Sequence, residues 1–419
     1  MNTEPKHTVI IGAGIVGVCC ARYLQLAGVP VTLLDRVPIG EGCSFGNAGV
    51  LSSWSCEPLS RPGLWKSMPG WALDPLGPVS LKLGYLPRLA PWMLRFIRNA
   101  KPERMAQISE AMFTLNHPTV EMFRQLLAGS GHESLVADAS YVFVTRDAAG
   151  LDQNAYGWRL RRERGAPIRV LDQGALRELE PDLAPDYVKG IALGGQGRAT
   201  NPARLVRVIG ELVQAGGGTW RQCEVRALRP RAGGGATVHT DDGDIDAPRL
   251  VIAAGAWSAR LAAAFGLDIP LQGERGYHME FANPGVQVNN SVHDADRTFV
   301  ASSMEGGVRC AGTSEFNALD AEPDWRRARI MKTLGKALFP KLNVDEGSEW
   351  MGRRPTLPDT IPVIGPVPGH PDVILAFGHG HLGLTGAPMT GRIATAIATG
   401  DRLNIDVAAY APARFGRVS

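Results

Sequence analysis

Three glycines, Gly12, Gly14 and Gly17, stand at the spacing G-x-G-x-x-G directly after the apolar run 7–11. A helical pattern follows through Leu26 and stops at Gly28, and a second apolar run, 31–34, closes on Asp35, with Arg36 beside it. Strand, glycine turn, helix, strand and acid together make a dinucleotide-binding unit. Gly12 permits the tight turn, Gly14 lets a pyrophosphate approach the backbone, and Gly17 lets the helix lie close to the strand. The helix amides near Ile15 and Val16 then face the phosphates, and Asp35 accepts hydrogen bonds from a ribose. The turn does not separate NAD from FAD, because both carry the same adenosine diphosphate half. Two further glycine segments bear on that choice. The run 249–254 leads into Gly255, Ala256 and Trp257, and the segment 377–385 precedes a helical pattern around 391–399. With the polar glycine-rich loop 44–49, they predict one nucleotide domain interrupted by insertions, with a bulky cofactor threaded along it.

At 419 residues the chain exceeds one ordinary core, so two domains or one large discontinuous one are expected. A net charge of +3, without blocks of like charge, excludes a polyelectrolyte footprint for nucleic acid. No apolar stretch approaches the roughly 20 residues needed to span a bilayer. The six cysteines show no C-x-x-C spacing and no secretory leader precedes the first strand, so reduced thiols and a cytoplasmic location are expected. Neither G-x-S-x-G nor H-E-x-x-H occurs, which removes the common hydrolase readings, and the nine histidines are too dispersed for a metal site.

Between the first and middle glycine segments lies a long insertion. In 64–100, Trp65, Trp71, Trp92, Met93, Phe96 and Ile97 alternate with Lys66, Lys82, Arg88, Arg95 and Arg98. This pattern suits either cap helices packed on the core or an amphipathic patch on a membrane surface. Residues 103–127 read as a helix broken near Pro118, and 140–145 as a strand. A helix over 203–214 starts at Asn201-Pro202 and stops at the glycines 216–218, leading to a strand around 223–228. Segments 273–281 and 308–313 read as further strands.

The segments SFGNAG at 44–49, ERGYH at 274–278, GRRPTLPDTIPVIG at 352–365 and GHGHLGLT at 378–385 resemble the FAD-dependent D-amino acid oxidase and glycine oxidase superfamily, and are most similar to its bacterial D-amino acid dehydrogenase branch. The resemblance implies an α/β fold, with a discontinuous Rossmann-type FAD-binding domain (1–60, 195–268, 345–419) and an inserted α+β substrate domain (61–194, 269–344) built on an antiparallel sheet. It implies that Ser44, Asn47, Ala48 and Gly49, a backbone group near Val225, Ala254, Gly255 and Trp257, and Gly380, His381, Leu382, Gly383, Leu384 and Thr385 hold FAD. Relatives of the sarcosine oxidase type tether flavin through a cysteine before T-x-x-P-D. None lies in 350–359 here, so non-covalent FAD is expected.

The implied reaction is oxidative deamination of a D-amino acid, or of a cyclic D-imino acid such as D-proline or hydroxyproline, by hydride transfer from Cα to flavin. Electrons then pass to a quinone or another acceptor; an oxygen-using oxidase and a non-catalytic or electron-relay flavoprotein subunit are the alternatives. A dehydrogenase of this type could rest peripherally on the inner face of the plasma membrane. Such chemistry needs a neutral amine and a fixed substrate carboxylate, which arginine grips better than lysine. Arg354 matches the carboxylate-binding arginine of the G-x-R-P segment, while Arg353 points away or pairs with an acid. Tyr277 and His278 are expected to wall the substrate pocket, one of them facing the flavin because strand residues alternate. His278 is preferred as the group that positions or deprotonates the ammonium. His381 departs from the dehydrogenase pattern, where a small hydroxyl residue is usual.

Overall fold

The computed structural model describes residues 5–63, 70–71 and 74–416. The first apolar run forms the strand Thr8–Ile11 inside a six-stranded sheet. Its order is Val363–Val367, His370–Phe377, Arg249–Ile252, Thr8–Ile11, Val31–Asp35, Thr219–Gln222. All neighbours are parallel except the first pair, a hairpin. A parallel sheet must be covered on both faces, and alternate residues of its strands divide accordingly. Ile10, Leu33, Val251 and Ile374 pack against the helices Ile15–Leu26, Pro202–Ala215 and Gly383–Thr399. Val9, Leu34, Leu250 and Val373 pack with a three-stranded antiparallel sheet made of Val225–Pro230, Ala236–Thr240 and Gly243–Ala247.

The first turn is as tight as its glycines require. Gly12 has φ +109°, and a Cβ there would lie 2.3 Å from the Ala253 carbonyl oxygen; one on Gly17 would lie 1.7 Å from the Gly12 oxygen. Asn201 caps the helix Pro202–Ala215 by accepting from the Arg204 amide at 3.0 Å. The break at Pro118 separates Pro102–Asn116 from Thr119–Leu127.

A second, larger sheet runs Gly347–Thr356, Gln272–Phe281, Gly307–Phe316, Phe299–Met304, Ser291–Asp294, Val136–Thr145, Lys189–Ala199, Val50–Leu51. Val79–Leu81 and Ile168–Asp172 pair beside this path. It is antiparallel apart from two parallel pairings. Sheet membership departs from the expected segment borders. Lys189–Ala199 runs across the border at 194/195, and Gly347–Thr356, expected with the nucleotide domain, is an end strand of the large sheet. Ladder hydrogen bonds decide this, and apolar runs do not display them.

In the 64–100 segment, Trp65 and Lys66 lie outside the described residues. The helix Leu86–Arg98 turns Leu89 and Trp92 inward and anchors to the large sheet through Trp92 Nε1, which donates to the Thr356 oxygen at 3.3 Å.

The Gly17 contact is backbone against backbone and cannot relax by a rotamer change. Gly17→Val should cost at least about 3 kcal/mol in urea unfolding. Gly84→Ala, with open space around the new methyl, should stay within about 0.5 kcal/mol.

Candidate active site

Alternation along Gln272–Phe281 puts Glu274, Gly276 and His278 on one face of the large sheet and Arg275 and Tyr277 on the other. Across the ladder Glu274 pairs with Arg354, and Gly276 with Gly352 and Ser314. The Arg354 guanidinium lies over Gly276, where a Cβ would come within 2.2 Å of Arg354 Cζ. Only glycine leaves room for that approach.

The Glu274 carboxylate is the hub. Its Oε1 accepts from Arg354 Nη1 at 3.0 Å and from Ser314 Oγ at 2.5 Å, and its Oε2 accepts from Thr356 Oγ1 at 3.1 Å. His381 Nε2 lies 2.9 Å from Oε1 and 3.1 Å from Oε2. With only 4% of the side chain exposed, burial pushes the carboxyl up, but the His381 and Arg354 charges and these hydrogen bonds outweigh it. They hold Glu274 well below the usual carboxylate range. Arg354 Nη1 also donates to the Thr313 carbonyl at 3.2 Å. Its Nε and Nη2 have no partner among the described residues and are not buried. Two parallel donors thus remain free, the geometry that receives a carboxylate.

These groups line a cavity of about 1280 Å³, larger than the roughly 300–1,000 Å³ of a small-ligand pocket. Gly12, Gly14, Ile15 and Val16 line it, with Asp35 and Arg36. So do Ser44, Asn47 and Ala48, then Val225, Ala254, Gly255 and Trp257, and finally Gly380, His381, Leu382, Gly383 and Leu384. The expected glycine segments therefore open on one space. At the helix end a Cβ on Gly14 would meet only Ser44 Oγ, so the glycine leaves the turn open to a phosphate, while the Ile15 amide, expected to face that phosphate, donates to Ser44 Oγ at 3.0 Å in this structure. Asp35 Oδ2 accepts from the Ala13 amide at 2.8 Å, which holds the acid at the turn. Arg36 stacks on Trp257, 4.1 Å from the ring centre. This set fits a dinucleotide.

Other expected residues lie elsewhere. Gly17, Gly49 and Thr385 do not line the cavity. Gly17 serves the turn, Gly49 sits against the Ala199 oxygen, and Thr385 Oγ1 ties the Ser52 amide to the Val50 carbonyl at 3.3 Å each. The Asn47 side chain accepts from the Gly49 amide at 2.8 Å, which shapes its own loop. His278 occupies the cavity-side face of the sheet but is covered: Nδ1 donates to the Gly46 carbonyl at 3.0 Å and the ring stacks on Trp350. Burial, with Arg309 nearby, pulls it down to about 3. It is a buried prop under the 44–49 loop and does not line the cavity. Tyr277 does line the cavity, as expected, but its hydroxyl is committed, donating to Glu315 and accepting from the Asp324 amide at 3.0 Å. Arg353 Nε donates to the Leu319 carbonyl. Sequence reasoning missed Glu274, Gly276, Ser314 and Thr356 as site residues. The available signal was an acid within a strand buried along nearly its whole length.

A family model described as FAD dependent oxidoreductase (DAO) matches residues 7–397. The chain is 36% identical to the D-amino-acid oxidase of Bradyrhizobium diazoefficiens over 98% of its length and 99% of that protein's. It is 29% identical to the D-amino acid dehydrogenase of Rhodopseudomonas palustris, with 92% of each chain covered. Among solved structures, glycine oxidase from Geobacillus kaustophilus superposes with a TM-score of 0.74 at 20% identity (98% and 99% covered), and L-proline dehydrogenase from P. horikoshii with 0.76 at 18% (98% of each). These two matches show the shared fold. The chain belongs to the DAO family of FAD-dependent oxidoreductases.

The depressed Glu274 ionisation makes stability depend on pH. Its contribution is full above the unfolded carboxyl value of about 4.3 and drains away as pH falls through the folded value below it. Glu274→Gln should therefore cost about 3 kcal/mol at pH 7, and the gap to wild type should close progressively on acidification below pH 4.3. Urea unfolding across that range checks it.

Proposed function

We propose that the protein oxidatively deaminates a D-amino acid, with Arg354 gripping the substrate carboxylate. The observation that carries this reading is the half-committed guanidinium: Nη1 is fixed by Glu274 and Thr313 while Nε and Nη2 have no partner among the described residues, and the residue lines the cavity. The names of the two curated relatives support the D-amino acid class. Gly276 seats the guanidinium, Glu274 orients it, and Trp92, Met93 and Phe96 on the neighbouring helix wall the space from bulk water. Gly12, Gly14, Ile15, Asp35 and the 380–384 loop would hold FAD without a covalent bond. When bound, FAD supplies the hydride acceptor. Electrons then pass to a quinone or another acceptor other than oxygen. The imino acid product hydrolyses in water to a 2-oxo acid and ammonia.

Replacing Arg354 removes a charge-assisted pair worth about 1.5–3 kcal/mol and misplaces Cα as well. Arg354→Leu should lower kcat/KM for the best D-amino acid by at least about a hundredfold while the purified protein keeps its FAD. Arg354→Lys should recover only part, because the planar fork is lost. Wild-type kcat/KM in both variants, or loss of FAD instead, would place the carboxylate clamp elsewhere.

A membrane-surface contact is part of the same proposal. No helix among the described residues is long and apolar enough to cross a bilayer. The outer side of Leu86–Arg98 nevertheless exposes Leu86, Leu94 and Ile97, with Leu83 just before it, amid exposed Arg88, Arg95 and Arg98. Leucines among arginines suit an anionic lipid surface. Flotation with anionic vesicles should carry the protein up at low salt, and Leu83→Ser/Leu94→Ser should abolish it; no flotation at low salt would remove this contact.

A further inference from the structure

The deamination chemistry needs a base, because an α-amino acid arrives as a zwitterion and only the neutral amine can release hydride from Cα. His278 is covered and bonded to a backbone carbonyl, so that base must be another group. We propose that His381, held by Glu274, takes the ammonium proton. The inference rests on the reading of Arg354 as the carboxylate clamp.

Three observations carry it. Nε2 of His381 is bonded to the buried Glu274 carboxylate, so a carboxylate orients the ring and fixes Nε2 as the protonated nitrogen. Nδ1 is then the acceptor. It has no partner among the described residues, the side chain is 40% exposed, and the residue lines the cavity. The same Oε1 also receives Arg354 Nη1 at 3.0 Å, which places Nη1 and His381 Nε2 no more than about 6 Å apart. The guanidinium and the imidazole are therefore held by one carboxylate oxygen beside the same cavity, close enough together for the proposal that one amino acid meets both.

The proton balance is simple. The N–H bond of the ammonium breaks, the proton passes to Nδ1 with no change in electron count, and the imidazolium formed is stabilised by Glu274 through Nε2–H. The neutral amine stays anchored by its carboxylate on Arg354. The charged group bonded to His381 is Glu274 on one strand, which also holds Arg354 on the next; Cys43 interacts with Glu274, Arg353 and Arg354. Ser314 and Thr356 are uncharged partners of the carboxylate.

His381→Gln is the discriminating variant, since its amide can keep a donor on Glu274 but supplies no base. In the FAD-loaded protein, kcat/KM for the best D-amino acid at pH 7 should fall by about a hundredfold. The loss should shrink as pH rises toward the ionisation of the substrate's own ammonium, where free amine enters directly. Added imidazole should restore part of the turnover of His381→Ala. Binding of benzoate, read from the flavin absorbance shift, should be unchanged in His381→Gln and lost in Arg354→Leu, because benzoate has a carboxylate and no amine. A loss equal at every pH without imidazole rescue, or wild-type kcat/KM at pH 7, would overturn the base assignment. Benzoate binding that survives Arg354→Leu would instead overturn the clamp on which it rests.

Discussion

A carboxylate with almost no exposure cannot remain ionised unless the protein surrounds it with charge and hydrogen bonds. Glu274 has that surrounding: one guanidinium, one imidazole and two hydroxyls converge on its two oxygens. The four partners come from three elements, Arg354 and Thr356 from one neighbouring strand, Ser314 from the other, and His381 from the last glycine loop. Satisfying this one group therefore locks the large sheet to the 378–385 loop, which itself belongs to the nucleotide side of the fold.

The lock depends on strand register. Glu274 and Arg354 are direct cross-strand partners, and Gly276 stands two residues on, beneath the guanidinium. A slip of one residue would send Arg354 to the face where Arg275 and Glu315 already form a fully buried pair. The two faces carry separate charge systems. Arg275, Glu315 and Tyr277 bond among themselves and to neighbouring backbone on the far side, with only the buried Arg275 Nε left without a partner among the described residues, while Arg354 and His381 keep donors and a ring nitrogen without partners beside the cavity. Both systems fix the fold, but Arg275 is fully buried, whereas Arg354 and His381 line the cavity where a ligand can reach them.

Local signals in the sequence reveal the nucleotide side and leave the substrate side largely hidden. Gly12, Gly14 and Asp35 announce themselves because turn, helix and acid lie within one contiguous stretch, and the structure confirms their convergence. Arg354 was legible through its G-x-R-P segment. Tyr277 lines the cavity as expected, while His278 does not, for a physical reason: strand alternation says that neighbours face opposite sides, but not what covers a side chain once it arrives there. For His278 the cover is the Gly46 carbonyl and the Trp350 ring, 232 and 72 residues away in sequence, contacts that only the tertiary fold creates. The Glu274–His381 pair, 107 residues apart, was hidden likewise.

Pairing Arg354 with Glu274 before substrate arrives has a cost and a use. A guanidinium already neutralised by a carboxylate attracts a second anion less strongly than a free one. An unpaired buried arginine, however, would be poorly solvated and free to adopt several rotamers, and its ordering would then oppose binding. With Nη1 bound to Glu274 and the plane laid over Gly276, the remaining donors are fixed in direction, so weaker attraction is exchanged for a defined position of the substrate Cα. His381 is held on the same carboxylate, so Arg354, Glu274 and His381 form one hydrogen-bonded unit whose members cannot reorient independently.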